Sequence, residues 1–395
     1  MTNSFSNHTS FQTGLDRLLA DPQPWLHERR VGLVSHPAAC TSNLSRSLDA
    51  LLAAGVRVTA IFGPEHGFSG TATDGAPVDH GIDPRSGLPV FSLFGHGVEP
   101  TPEMLAGVDV LLCDLQDVGA RFYTYLTTLY HVMKAGAACG IPVIVADRPN
   151  PIGGIQVEGP MLEPGFESFV GMLPAPVRHG MTPGELARLV NTECELGTDL
   201  DVIILRGWTR DMGFEETGRS WVPTSPAMPH LSTCMVYPGM CFLEGTNISE
   251  GRGTPLPFEQ CGAPWADGFI LAGILNRMNL PGVRFHPTQF IPSDSKYSGQ
   301  ECHGVQVHVL DRDALQPVTL GLSVVEAFLR LYPEELSWQV DHFDHLAGCA
   351  WLRQGLQAGT PALELAKNWA EDCATFVKKR TSYLLYETQK LAIIS

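Results

Sequence analysis

The residues best suited to chemistry in this chain are Glu65 and His66, a carboxylate beside an imidazole in Gly63-Pro64-Glu65-His66-Gly67. Such groups donate, accept and hold protons near neutral pH. Three further clusters carry similar material. Asp114-Leu115-Gln116-Asp117-Val118-Gly119-Ala120-Arg121-Phe122-Tyr123-Thr124-Tyr125 combines carboxylates, an arginine and two tyrosines. Asp147-Arg148-Pro149-Asn150 has Glu158 nearby, and Glu244 to Thr254 (EGTNISEGRGT) sets Glu244, Glu250 and Arg252 among glycines with no helical period. Structural roles compete at each place: Asp114 or Asp117 can cap a following helix, Arg121 can pair with either, and Asp147-Arg148 can be an internal ion pair.

Carboxylates supported by arginine, asparagine and aromatic rings suit glycoside hydrolysis. A protonated carboxyl donates to the leaving oxygen while a second group stabilises or attacks the oxocarbenium-like centre. Other chemistries lack their signatures. No G-x-G-x-x-G or G-x-x-x-x-G-K-[ST] offers a phosphate cradle. No H-E-x-x-H or G-x-S-x-G points to a zinc protease or an α/β-hydrolase.

The elements that must position these groups alternate in kind. Val31–Ser35, Val56–Phe62, Val108–Cys113, Pro142–Ala146 and Asp201–Leu205 are short apolar runs that read as strands covered on both faces. Helical spacing follows Leu44–Ala54, and Leu126, Leu129, Tyr130, Met133 and Ala137 share one helix face that Gly140 stops. Thr182-Pro183-Gly184-Glu185 is a capping box with proline at the first helical position. This order predicts a mostly parallel α/β sheet flanked by helices, with right-handed crossovers. Ligands of such sheets bind beyond the strands' carboxyl ends, where Glu65, Asp114 and Asp147 fall. Ser220–Pro264 loses periodicity and reads as a long ordered loop. Phe269–Met278 is helical, and Leu280-Pro281-Gly282 opens a smaller α+β unit with a strand at Val305–Val309 and helices at Leu320–Leu331 and Ala362–Lys379. The expected division is a larger domain over 1–279 and a smaller C-terminal one over 280–395.

Composition narrows the partners. At 395 residues the chain exceeds the roughly 250–300 at which one core stops growing. A formal net charge of −16 argues against nucleic acid and anionic membranes, leaving a small-molecule substrate as the expected partner. The ten cysteines form no C-x-x-C pair, so reduced core thiols and a cytoplasmic location are expected. The first ten residues show no basic segment leading into an apolar stretch; the expectation becomes periplasmic or secreted if a leader has been removed.

Taken as an ordered set, these stretches resemble the exo-acting β-N-acetylmuramidases (NamZ-like), formerly a bacterial family of unknown function. The resemblance rests on Gly63–Gly67, Asp114–Tyr125, Asp147–Gly153, Glu158-Gly159-Pro160 and His179–Thr182. It continues through Tyr237-Pro238-Gly239, Glu244–Thr254 and Gly262-Ala263-Pro264-Trp265. It implies a Rossmann-like catalytic domain and a smaller C-terminal α+β domain closing the cleft between them. It also implies release of N-acetylmuramic acid from the non-reducing end of peptidoglycan fragments, in cell-wall turnover, without a cofactor or metal. It further implies Glu65 as the leading catalytic acid/base, with His66, Tyr123 and Tyr125 near the reacting centre. Arg121, Asp147, Arg148, Asn150, Glu244, Asn247, Glu250 and Arg252 are the implied sugar contacts or their supports. Ala227 stands where the family commonly has asparagine.

Muramic acid bears a lactyl carboxylate, so an arginine in the cleft is expected to bind it, one of Arg121, Arg148 and Arg252. Glu65 is expected to be partly buried beside aromatic residues, since a general acid needs a raised pKa. Two alternatives stand beside this one. The first is a muropeptide amidase or metal-assisted hydrolase with His66, Asp114 and Asp147 as ligands; the second is a non-catalytic amino-sugar binding protein.

Overall fold

The computed structural model describes residues 11–95 and 97–388, so the amino-terminal segment weighed for a leader lies outside the described residues. Its centre is a seven-stranded sheet: β1 (Val31–Ser35), β2 (Val58–Gly63), β3 (Gly81–Ile82), β4 (Pro89–Ser92), β5 (Val110–Asp114), β6 (Val143–Ala146) and β9 (Leu200–Ile203). Their spatial order is β3-β4-β2-β1-β5-β6-β9, parallel throughout except where β3 meets β4. The order reverses between β1 and β5, and such a reversal opens a crevice at the carboxyl ends.

Strand alternation explains the two cores. Val31, Leu33, Ile61, Val110 and Leu112 face the helices Gly14–Ala20 and Ser47–Ala53. Val34, Phe62, Leu111, Cys113 and Val145 face the helices Thr124–Cys139 and Pro183–Glu193, in a core that runs on into the C-terminal region. Both caps expected from sequence are present. Gly140 ends the longer helix at φ 66°, and Thr182 and Glu185 close a reciprocal capping box.

The C-terminal part holds an antiparallel sheet, β10 (Gln260–Ala263), β12 (Cys302–Val309) and β11 (Val283–Phe290) in that order. Its first strand comes from before residue 280. β7 (Glu158–Met161) and β8 (Pro176–Arg178) form a separate two-stranded ribbon.

Two local expectations are corrected. The long loop contains a helix, Leu231–Met240, that tolerates Pro238, followed by a 3₁₀ turn over Cys241–Gly245 and by β10. It packs on the helix Pro317–Leu331 at glycine contacts, where a Cβ on Gly239 would stand 1.6 Å from the Pro317 carbonyl oxygen. That close backbone approach supplies the stabilisation that propensity does not. The expected helix over Ala362–Lys379 is two, Ala362–Leu365 and Ala370–Arg380. Between them the amides of Lys367, Asn368 and Ala370 bond three residues back, and this tightening brings Trp369 into the core.

Candidate active site

β2 delivers Gly63-Pro64-Glu65-His66-Gly67 at its carboxyl end. A Cβ on Gly63 would lie 2.5 Å from the Phe68 nitrogen, so the chain can fold back only over glycine. His66 adopts φ 69°, a left-handed conformation that costs a non-glycine residue on the order of 1 kcal/mol. Its ring Nδ1 lies 2.9 Å from the Ala72 carbonyl, which fixes the imidazole while the turn holds the backbone.

Glu65 is 6% exposed. Its Oε1 accepts the Gly75 N–H at 3.0 Å, and its Oε2 accepts the Thr124 hydroxyl at 2.6 Å. Thr124 opens the helix Thr124–Cys139, so the carboxylate sits where the helix dipole favours an anion. The rings of Tyr123 and Tyr125 pack with centroids 4.7 Å apart and planes tilted by 58°, and their hydroxyls donate to the Thr224 hydroxyl (2.7 Å) and carbonyl (2.6 Å). Burial pushes both phenols up, so they remain neutral donors that pin the 224–228 segment over the cleft.

The cleft, about 180 Å³, brings together Glu65, His66, Tyr123, Glu244 and Arg252 from distant parts of the sequence. It also contains Asp74 and His342, which sequence reasoning missed, and Phe94, Phe169 and Ala227 on its walls. Arg252 donates to Glu244 Oε1 through Nε at 2.9 Å and Nη2 at 2.6 Å, reaches Asp74 at 3.3 Å, and lies 5.0 Å over the Phe258 ring. Burial alone would raise the Glu244 carboxyl, but Arg252, with His342 at 3.5 Å, holds it well below the usual carboxylate range. Asp74 follows an unremarked threonine-rich stretch and precedes Gly75; an Asp-Gly turn was its one visible signal. His342 comes from the helix Val340–Ala347 and had none.

The other candidate residues do not line this cleft. Arg121, 0% exposed, donates to the carbonyls of Pro160, Ala175, Leu346 and Ala347 and ties the larger domain to the C-terminal part. With no carboxylate beside it, burial brings its pKa down to about 10. Arg121→Met leaves four carbonyls without their donor, each costing about 1–3 kcal/mol, and is expected to lower stability by about 3 kcal/mol or more. Denaturant unfolding checks this; a loss below about 0.5 kcal/mol would assign those carbonyls other partners.

Arg148 grips Asp114 through Nε at 2.5 Å and Nη2 at 3.0 Å, and lines a second crevice with Gln116 and Trp221 at the β1/β5 reversal. Asn150 bridges the Met181 carbonyl and the Ile152 amide. Asn247 bridges the Glu335 carbonyl and the Ser337 amide. Glu250, 2% exposed, pairs with Lys296 at 2.9 Å behind Arg252.

Asp147 is enclosed, accepting from Thr182, Gly184 and Tyr386, and burial pushes its carboxyl from 3.8 up to about 7. The folded protein therefore holds a proton through a window in which the unfolded chain has released it. Asp147's contribution to stability is largest in acid, declines as pH rises from about 4 to about 7, and is level above that. Asp147→Asn is expected to remove that part of the slope in unfolding free energy against pH; an unchanged slope would mean an ionised Asp147.

The metal-ligand set of the amidase alternative is corrected. Among the described residues, the group with three ligand atoms within 4.8 Å of one another is Glu65, His66 and Asp74, without Asp114 or Asp147. Asp114 is spent on Arg148 and Asp147 on its hydroxyl and amide donors. At the Glu65–Asp74 group Arg252 already supplies the positive charge. A larger cavity of about 290 Å³, lined by Arg178, Arg210 and Arg312, contains no histidine.

Fold and site together define a Rossmann-like α/β protein with a cleft built from carboxylates, an arginine, histidines and aromatic rings. Comparison with known proteins makes the class particular. Residues 31–232 match the family model for the N-terminal part of exo-β-N-acetylmuramidase NamZ, and residues 235–386 match that for its C-terminal part. The chain belongs to the NamZ family. It is 45% identical to the peptidoglycan β-N-acetylmuramidase NamZ of Bacillus subtilis, over 97% of this chain and 93% of that protein. Two crystal structures of DUF1343 family proteins from Bacteroides fragilis share the fold. One has a TM-score of 0.89 and 34% identity, covering 95% of this chain and 99% of that one. The other has a TM-score of 0.77 and 30% identity, covering 96% and 100%.

Proposed function

We propose that this protein is a glycosidase that releases N-acetylmuramic acid from the non-reducing end of peptidoglycan fragments, with Glu65 as its leading catalytic carboxylate. The observation that carries the proposal is a buried, doubly hydrogen-bonded Glu65 facing the same cleft as Arg252. Family membership and the name of the Bacillus subtilis relative support the substrate. Arg252 is the arginine we assign to the lactyl carboxylate, because Arg121 and Arg148 lie outside the cleft. The division into 1–279 and 280–395 belongs to the proposal; His342 and Leu346 reaching the cleft support a closing role for the second part. Among the described residues no helix is long and apolar enough to cross a membrane. We further propose action on turnover fragments in the cytoplasm, which the many cysteines packed as buried free thiols support.

The test is turnover of a chromogenic β-N-acetylmuramide beside the matching β-N-acetylglucosaminide. Cleavage of the muramide alone is expected. Cleavage of neither by folded protein would remove the proposal and direct attention to amide substrates.

A further inference from the structure

Asp74 enters the cleft on the turn that completes the Glu65 site. The next residue, Gly75, donates its N–H to Glu65 Oε1 at 3.0 Å, so one turn both fixes the first carboxylate and carries the second. An oxygen of Asp74, an oxygen of Glu65 and a ring nitrogen of His66 lie within 4.8 Å of one another. The Asp74 side chain is 48% exposed, and it lines the cleft with Arg252 3.3 Å away.

We propose that Asp74 is the second catalytic carboxyl of this cleft, and that the pair cleaves the glycosidic bond with retention of configuration at the anomeric carbon. The inference rests on the glycosidase assignment above. Inverting enzymes separate their carboxyls by roughly 6.5–9.5 Å to admit a water opposite the leaving group, whereas retaining enzymes hold them roughly 5–5.5 Å apart. With their nearest oxygens within 4.8 Å, Glu65 and Asp74 fall on the shorter side of that division.

The surroundings divide the labour. Gly75 donates to Glu65 Oε1, and the helix N-terminus at Thr124 favours negative charge at that place, so the attacking role falls to Glu65. Although about half of the Asp74 side chain stays open to solvent, the walls of the cleft partly desolvate its carboxyl. Glu244 and Glu65 add negative charge, and against the pull of Arg252 and His66 they bring the Asp74 carboxyl up to about 6. A carboxyl poised there can carry the proton near neutrality. Glu65, expected from sequence to be the acid/base, then takes the nucleophilic half.

In the first step an oxygen of Glu65 bonds to C1 of the sugar. The C1–O bond to the leaving group breaks, its electron pair stays on the leaving oxygen, and that oxygen takes the Asp74 proton. In the second, water attacks C1 and gives its proton to Asp74, while the C1–Glu65 bond breaks and its pair returns to the carboxylate. One water is consumed and the sugar leaves as the β-anomer.

The test follows the product anomer by proton NMR with wild-type protein, and uses azide with the Asp74→Gly and Glu65→Gly variants. The β-anomer should appear first. Azide should give a β-glycosyl azide from Asp74→Gly and an α-glycosyl azide from Glu65→Gly. Asp74→Asn should lose about 10²–10⁴-fold on an unactivated disaccharide and far less on a substrate with a good leaving group. Unchanged thermal unfolding of Asp74→Asn would show that this loss is chemical. An α-anomer appearing first, or Asp74→Asn within a few-fold of wild type on the disaccharide, would overturn the inference while leaving the glycosidase assignment intact. A β-anomer without α-azide from Glu65→Gly would transfer the attack to the substrate's own acetamide and overturn the role of Glu65. No cleavage by wild type would overturn the glycosidase assignment itself.

Discussion

Replacing Glu65 by glutamine is expected to abolish most turnover of a β-N-acetylmuramide, by about 10²–10⁴-fold, without unfolding the protein. Glutamine has nearly the same shape. Its amide oxygen can still accept the Gly75 N–H, and its amide nitrogen can donate to the Thr124 hydroxyl in place of the bond that Oε2 now accepts. The site therefore keeps its geometry and loses the carboxylate oxygen that attacks the sugar. The measurement is kcat on the chromogenic muramide, with thermal unfolding of both proteins recorded beside it. A Glu65→Gln variant within a few-fold of wild type would remove Glu65 from the chemistry and leave Asp74 and Glu244 as the carboxylates to examine.

The second large effect belongs to Arg252. Its guanidinium is set by Glu244 and lies over the Phe258 ring, so it presents a positioned charge in a cleft that also holds the carboxylates of Glu65, Asp74 and Glu244. In a protein of net charge −16, an anionic substrate needs such a local counter-charge. Losing a hydrogen bond to a charged group costs about 1.5–3 kcal/mol, or about 10–100-fold in affinity. Arg252→Met should therefore weaken N-acetylmuramic acid by about 10–100-fold and N-acetylglucosamine much less, by calorimetric titration of each sugar. Equal losses on the two sugars would mean that Arg252 only keeps Glu244 and Glu250 in place and that the lactyl group is bound elsewhere. Thermal unfolding of the variant separates that outcome from a collapsed cleft, because Glu244 is left without its main partner.

Much of the larger domain was legible because its signals are local. The apolar runs at Val31–Ser35 and Val110–Asp114 are buried on both faces and needed no partner to be recognised. Gly140 and the Thr182–Glu185 box declare their helix ends within four residues. The helix at Leu231–Met240 was not legible, since Pro238 and Gly239 argue against it and its support is the surface of the helix Pro317–Leu331.

The candidate site divides in the same way. The sequence by itself determined that a carboxylate and an imidazole follow a buried strand, that arginines and aromatic residues accompany them, and which family the motifs match. Tertiary structure decided which of those residues meet. It placed Arg252 in the cleft and Arg121 among backbone carbonyls, although both are arginines in glycine-containing motifs. It also added Asp74 and His342, one hidden in a turn and the other on a remote helix. Residue type fixes what a side chain can do, whereas its partners and its access to water depend on packing between segments far apart in the chain. Long-range contacts of that kind leave no periodicity to read.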